Sequence, residues 1–147
     1  MTVCVKAPEA RVVAAALEQV LRVMYFCESV YQGGASLETP VLSTSLTFQG
    51  TVRGVFRLMV SERCARRMTA DFLAIEPADV SPDQMDATVR ELANVACGAT
   101  MSFWIPEATL RFAVPADLTR FDSAQRFEHC ISVTEGLPEI AVDVLLQ

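Results

Sequence analysis

The sequence predicts an α+β domain in which long helices pack on one face of an antiparallel sheet. Three observations lead to this prediction. Two long segments carry apolar residues at the 3.6-residue spacing of an amphipathic helix. Several shorter stretches alternate apolar and polar residues at the two-residue spacing of a strand. The order along the chain is helix, hairpin, two helices and then strands, which is typical of an antiparallel sheet with its helices on one side.

The first predicted element is a helix over about residues 8–31. It begins at Pro8, and proline suits the first turn of a helix because the N–H group it lacks would have no partner there. The apolar stripe of this helix consists of Val13, Ala16, Leu17, Val20, Met24, Cys27 and Tyr31. Gly33 and Gly34 are expected to stop the helix, and residues 32–40 are expected to form a loop.

A β-hairpin is predicted to follow this loop. Leu46 and Phe48 alternate with threonine and glutamine. In residues 55–60 the predicted inner face takes every second position, Phe56, Leu58 and Val60. Gly50 lies between the two runs, where the chain must turn, so the two strands are predicted to pair with each other.

Two more helices are predicted after the hairpin. Ser61 can cap the first of them. The second has a clear start, because Ser81, Pro82 and Gln84 supply a capping serine, a first-turn proline and the third-position side chain of a capping box. This helix is predicted to run to about Phe103.

The last third of the chain is predicted to form strands. Residues 110–118 contain Pro115, which cannot donate a hydrogen bond to a neighbouring strand, so we expect an edge or bulged strand there. Residues 127–133 and 140–146 alternate strictly, and Gly136 between them marks a turn. One face of the earlier strand is predicted to consist of Phe127, His129, Ile131 and Val133.

The composition excludes several classes of function. A formal net charge of −6 argues against nucleic acid and against an anionic membrane surface as partners. No apolar run reaches the length of a membrane span, and the first residues do not resemble a signal peptide, so we expect a cytoplasmic protein. The five cysteines are odd in number and include no C-x-x-C pair, which argues against a disulfide framework and a zinc site.

The predicted outer face of the third helix is unusual in its composition. It carries Ala87, Glu91, Asn94 and Gly98, with Arg90 and Met101 at its flanks. Glu91 and Asn94 are three residues apart and therefore neighbours on the helix surface. Small residues around such a pair would let another backbone approach closely. An ordinary exposed face with an accidental glycine is the alternative interpretation.

The segment from Glu91 to Gly98 resembles the E-x-x-N-x-x-x-G signature of the CheX/CheC/FliY phosphatases. The acidic, Met-containing start of the helix, the later strand with Pro115 and the two final strands agree with this family. Nothing like a second E-x-x-N occurs on the first helix, so the arrangement is CheX-like. The family usually has Asp or Ser four residues before the glutamate, and this chain has Ala87 there.

This resemblance implies a CheC/CheX-like fold and a single CheX-like phosphatase domain over residues 1–147. It implies a phosphorylated CheY-like receiver domain as the substrate, with Asn94 holding the attacking water and Glu91 pairing with the receiver's active-site lysine. Gly98, Ala87 and Arg90 would contact the partner. No cofactor is expected in this chain, because Mg²⁺ is expected in the receiver. A homodimer is also implied, in agreement with the 52% hydrophobic content.

Two other classes of function remain open at this point. The same fold could bind a receiver or dimerise without hydrolysing phosphate, and the alanine at position 87 keeps this alternative open. The second class is a structural component of a flagellar switch, and the absence of a second E-x-x-N motif argues against it. His129, the one histidine of the chain, is predicted to be a partly buried core residue.

Overall fold

The computed structural model describes residues 6–133 and 137–147 of the chain. Within them the elements are α1 (Ala10–Tyr25), β1 (Val30–Ser36), β2 (Val41–Gly50), β3 (Gly54–Ser61), α2 (Glu62–Leu73), α3 (Pro82–Trp104), β4 (Leu110–Phe112), β5 (Thr119–Phe121), β6 (Arg126–Ser132) and β7 (Ile140–Leu146). A short 3₁₀ turn, Pro77–Asp79, precedes α3. The predicted α+β class is confirmed. In the described part of the chain no helix has the length and hydrophobicity needed to span a membrane.

The strands form one antiparallel sheet in the order β1-β6-β7-β3-β2-β4, and β5 also pairs with β2. The three helices lie on one face, where their apolar residues and those of the central strands form the main core. The opposite face carries a smaller apolar cluster, which consists of Leu37, Val41, Met59, Phe127, Cys130 and Ala141. Helices on one face of an antiparallel sheet are the arrangement that the sequence predicts.

The predictions for residues 8–40 are partly wrong. The helix ends at Tyr25 rather than at residue 31, because Phe26 adopts a left-handed conformation (φ 54°) and the N–H group of Cys27 donates to the carbonyl of Leu21. This is a helix ending of the kind that usually uses glycine. The predicted loop contains strand β1, and Gly33, with a φ of +77°, lies at a bulge in its pairing with β6.

The predicted hairpin is confirmed as β2 and β3, which pair from Val41↔Ser61 to Phe48↔Gly54. The edge strand predicted over residues 110–118 is confirmed only for Leu110–Phe112, because residues 113–118 are irregular. Strands β4 and β5 both pair with the outer side of β2, and Pro115 lies in the irregular segment between them. This segment therefore closes one edge of the sheet without continuing its ladder.

Strand β6 departs from the strict alternation that its sequence predicts. Ile131 packs in the main core, but Phe127 packs with Cys130 in the cluster on the other face. The pairing with β1 shifts register between Gly33 and Ala35, and an irregularity of this kind turns the following residues to the opposite side. The predicted turn at Gly136 lies outside the described residues.

Helix α3 is buried over a wider surface than the predicted stripe. Met101, expected at the edge of the outer face, is 2% exposed, and Phe103, expected in the core, is 44% exposed. The helix packs against α1, α2 and the sheet. Its buried face is therefore broadened toward Cys97 and Met101 and is turned away from Phe103.

Candidate functional site

The candidate site is built on the middle of α3, whose start is fixed as the sequence predicts. The hydroxyl of Ser81 accepts from the N–H group of Gln84 at 3.1 Å, and the side chain of Gln84 accepts from the N–H group of Ser81 at 2.9 Å. Pro82 occupies the first turn. This capping box satisfies two N–H groups that a helix start would otherwise leave unpaired.

The predicted outer face of α3 faces solvent. Ala87, Glu91 and Asn94 are exposed, and Gly98 is half-buried. Directly behind them Val89, Leu92, Ala93 and Ala96 are buried in the core. The backbone of the pair is therefore anchored from behind, while its carboxylate and amide are both available to a partner.

A groove of about 430 Å³ runs between this face and the edge of the sheet. One wall is formed by the helix, and the other is formed by the end of β4 and the irregular segment that follows it. The residues around the groove are Asp86, Ala87, Arg90, Glu91, Asn94, Phe112, Ala113, Val114 and Pro115. A second depression of about 290 Å³ runs from Gly98 to Phe112 and extends the groove toward the end of α3.

Arg90 joins the two walls. Its Nη2 donates to the carbonyl oxygen of Pro115 at 2.8 Å, and its Nη1 lies 3.8 Å from a carboxylate oxygen of Asp86 and 4.0 Å from one of Asp117. Arg90 was predicted to contact the partner, and in the free chain its guanidinium contacts neighbouring residues of the same chain. These contacts connect α3 to the segment that forms the opposite wall.

Tyr25, at the end of α1, is close enough to Glu91 to be affected by its charge. Burial raises the pKa of its phenol to about 12, and the negative charge of Glu91 contributes to the increase. The ring of Tyr25 also packs on Phe72, with 6.0 Å between the ring centroids. Tyr25 is therefore a partly buried aromatic neighbour of Glu91 in the free protein.

Gly98 has more free space around its α-carbon than Gly50 and Gly54 have. A methyl group added at Gly54 would collide with the carbonyl of Leu145, and one added at Gly50 would collide with the carbonyl of Thr109. A methyl group added at Gly98 would meet no atom within 4 Å beyond the local helix backbone. Packing inside this chain therefore does not require glycine at this position.

His129 and Arg67, two polar residues outside the groove, are hydrogen-bonded to other side chains of the chain. The Nδ1 of His129 is hydrogen-bonded to the hydroxyl of Tyr31 at 2.9 Å, so the prediction of a satisfied, partly buried histidine is confirmed. Arg67, in the basic stretch of α2, donates to the carboxylate of Glu139 at 2.9 Å. Among residues 6–133 and 137–147, no three His, Cys, Asp or Glu side chains lie together as metal ligands.

Sequence reasoning missed Tyr25, Phe112 and Val114 as parts of this surface. The run from Phe112 to Pro115 was a usable signal, because four successive apolar residues on a predicted edge strand cannot all be buried. Tyr25 gave no such signal, since its place depends on where α1 ends.

A protein-family model described as "Chemotaxis phosphatase CheX" matches residues 42–130, which is more than half of the 147 residues. The matched range contains all of α3 and the opposite wall of the groove. No curated protein matches the sequence.

Solved structures share the whole fold at low sequence identity. The chemotaxis protein CheX from Vibrio vulnificus has a TM-score of 0.74 and 16% identity, and the match covers 97% of this chain and 100% of that chain. The CheX–CheY–BeF₃–Mg²⁺ complex from Borrelia burgdorferi gives a TM-score of 0.68 and 14% identity, with 97% and 99% covered. FliY from Thermotoga maritima gives a TM-score of 0.65 and 11% identity, with 97% and 92% covered.

Proposed function

Because this chain belongs to the CheX family of chemotaxis phosphatases, we propose that it hydrolyses the aspartyl phosphate of a CheY-like receiver domain. The observation that carries the proposal is the exposed pair Glu91 and Asn94, held on the wall of a groove of about 430 Å³. A relative of the same fold is described in complex with CheY, BeF₃ and Mg²⁺, which supports a receiver as the partner.

The chemistry needs positioning more than it needs a nucleophile from the enzyme. An aspartyl phosphate is an activated acyl phosphate, so a water molecule in line with the phosphorus suffices. The water oxygen forms a bond to phosphorus, and the bond between phosphorus and the aspartate oxygen breaks. The electron pair stays on the aspartate carboxylate, inorganic phosphate leaves, and the protons of the water pass to phosphate and solvent.

Asn94 is proposed to hold this water. An amide can donate a hydrogen bond and accept another at the same time, so it can fix both the place and the orientation of a water molecule. Its position on a helix that is packed from behind limits how far the amide can move. Mg²⁺ and the acidic residues that bind it are expected in the receiver, where the metal neutralises charge on the phosphoryl group.

Glu91 is proposed to pair with the receiver's active-site lysine. This pairing would fix the register in which Asn94, one helical turn along, enters the receiver's site. Ala87 and Gly98 lie on the same face of the helix and are proposed to leave room for the receiver's backbone. The encounter is proposed to take place in the cytoplasm, with this chain as a homodimer.

Substitution of the two polar residues tests the proposal. We expect Asn94→Ala to lower the rate of phosphate release by about 10²-fold or more with little change in receiver affinity, because only the position of the water is lost. We expect Glu91→Ala to weaken receiver binding as well as turnover. Both variants should melt at the temperature of the parent, since both side chains are exposed.

Matched controls are available at the other side of the sheet. Gln125→Ala and Glu128→Ala remove an exposed amide and an exposed carboxylate near β6, and both variants should keep the parent's activity. Full phosphatase activity in a folded Asn94→Ala variant would contradict the role proposed for Asn94. If the folded parent binds a phosphorylated receiver without releasing phosphate, a non-catalytic receiver-binding module is the better description.

A further inference from the structure

The second wall of the groove exposes an unusual run of apolar residues. Phe112 is 43% exposed and Val114 is 79% exposed, and Ala113 between them is also exposed. Several consecutive apolar residues in water are costly and are uncommon unless a partner covers them. This run lies directly across the groove from Glu91 and Asn94.

The wall is held in place by hydrogen bonds to two different elements. The N–H groups of Ala113 and Ala116 donate to the carbonyls of Thr47 and Ser45 at 2.9 and 2.8 Å. From α3, Arg90 donates to the carbonyl of Pro115 at 2.8 Å. The exposed side chains therefore sit on a backbone that is fixed on both sides.

The same bonds argue against a partner that adds a strand here. The N–H groups of residues 113 and 116 point inward to β2, the carbonyl of Pro115 accepts from Arg90, and proline itself has no N–H group. A continuing ladder needs regularly spaced free backbone groups at the edge. Along residues 113–116, recognition through the exposed side chains is therefore favoured over pairing with an added strand.

We propose that Phe112 and Val114 form a second contact surface for the receiver domain and bind apolar side chains that border its phosphorylated aspartate. This inference rests on the proposed function, because the two walls belong to one groove and a domain bound at Glu91 and Asn94 must cover the opposite wall. The apolar wall binds the receiver equally tightly in the ground state and in the transition state. The polar wall is then left to act on the phosphoryl group.

Because the two walls have different roles, substitutions in the apolar wall should change KM, whereas substitutions in the polar wall should change turnover. We expect Val114→Ser to raise KM for the phosphorylated receiver about tenfold with kcat unchanged, since it removes one buried apolar contact that does not depend on the reaction step. Phe112→Ser should act in the same direction. Affinity for a receiver held in its BeF₃–Mg²⁺ form, measured by calorimetry, should fall by the same factor.

A matched control lies on the opposite face of the sheet. Leu145 is 57% exposed on β7, and its neighbour Val144 packs in the helix-side core, so Leu145 points away from α3. Leu145→Ser should leave both kinetic constants and receiver affinity unchanged. Melting curves for all three variants show whether each remains folded.

The outcomes separate this inference from the function on which it rests. Parent-like KM and affinity in folded Val114→Ser and Phe112→Ser, together with lost turnover in Asn94→Ala, would overturn the second contact surface and leave the phosphatase intact. Absence of phosphate release by the folded parent chain would overturn the phosphatase proposal. In that case a fall in calorimetric affinity for Val114→Ser still supports the contact surface, and an unchanged affinity overturns it.

Discussion

Gly98→Ala should make this domain more stable and should slow the proposed phosphatase reaction. The substitution adds a methyl group to the exposed face of α3, one turn after Asn94. No atom beyond the local helix backbone lies within 4 Å of the added group, so the free protein can accept it without rearrangement. A partner whose backbone approaches this face would meet the methyl group directly.

The gain in stability follows from helix propensity. Glycine in a helix interior is about 1 kcal/mol less favourable than alanine, because it loses more backbone entropy on folding. For a chain of 147 residues, this free energy raises the melting temperature by roughly 2–4 °C. The loss of activity follows from displacement, since a shift of about 1 Å in a positioned group can cost about 10²-fold in rate. We expect at least a tenfold fall in kcat/KM.

The assay combines a melting curve with phosphate release over a range of phosphorylated receiver concentrations. Gln19→Ala, on the exposed side of α1, is a control that also improves helix propensity but should leave kcat/KM unchanged. A lower melting temperature for Gly98→Ala would refute the argument that packing does not need glycine. Higher stability with parent-like activity would refute the close approach of a partner at this position.

Two further predictions concern the buried thiols and the assembly. Burial raises the pKa of the Cys97 thiol to about 12 from an ordinary 9.0, so the folded chain holds this proton more tightly than the unfolded chain. The contribution of the protonated thiol to the free energy of unfolding should be complete below pH 9 and should decline as the pH rises toward 12. Urea midpoints measured between pH 8 and 11 should decline less steeply in Cys97→Ala, and an equal decline would contradict this attribution. Sedimentation at micromolar concentration should give twice the mass of one chain, and a lone monomer species would count against the homodimer.

Local signals explain why α3 and its outer face could be predicted from sequence. Ser81, Pro82 and Gln84 specify the start of the helix by contacts within three residues, and the outer face then follows from the helical period. Glu91 and Asn94 are exposed as that period requires. Their proposed roles came from a resemblance, because exposure alone does not distinguish a site from an ordinary solvated surface.

Non-local contacts explain what the sequence could not predict. Strand β1 depends on pairing with β6, nearly a hundred residues away, and a glycine bulge hides its alternation. The end of α1 at Tyr25 depends on a left-handed Phe26, which local propensity does not favour. The position of Val114 opposite Asn94 depends on the way that residues 110–121 return to the edge of β2.

The location of Glu91 and Asn94 near the middle of a 23-residue helix has a consequence for the kinetics of recognition. Neither side chain belongs to a loop that must order before the partner can bind, so the backbone loses little conformational entropy on association. Encounter can then proceed as rigid-body docking. Differences in turnover among receivers would consequently originate in the receivers' own loops, and this chain would act on each of them as the same fixed template.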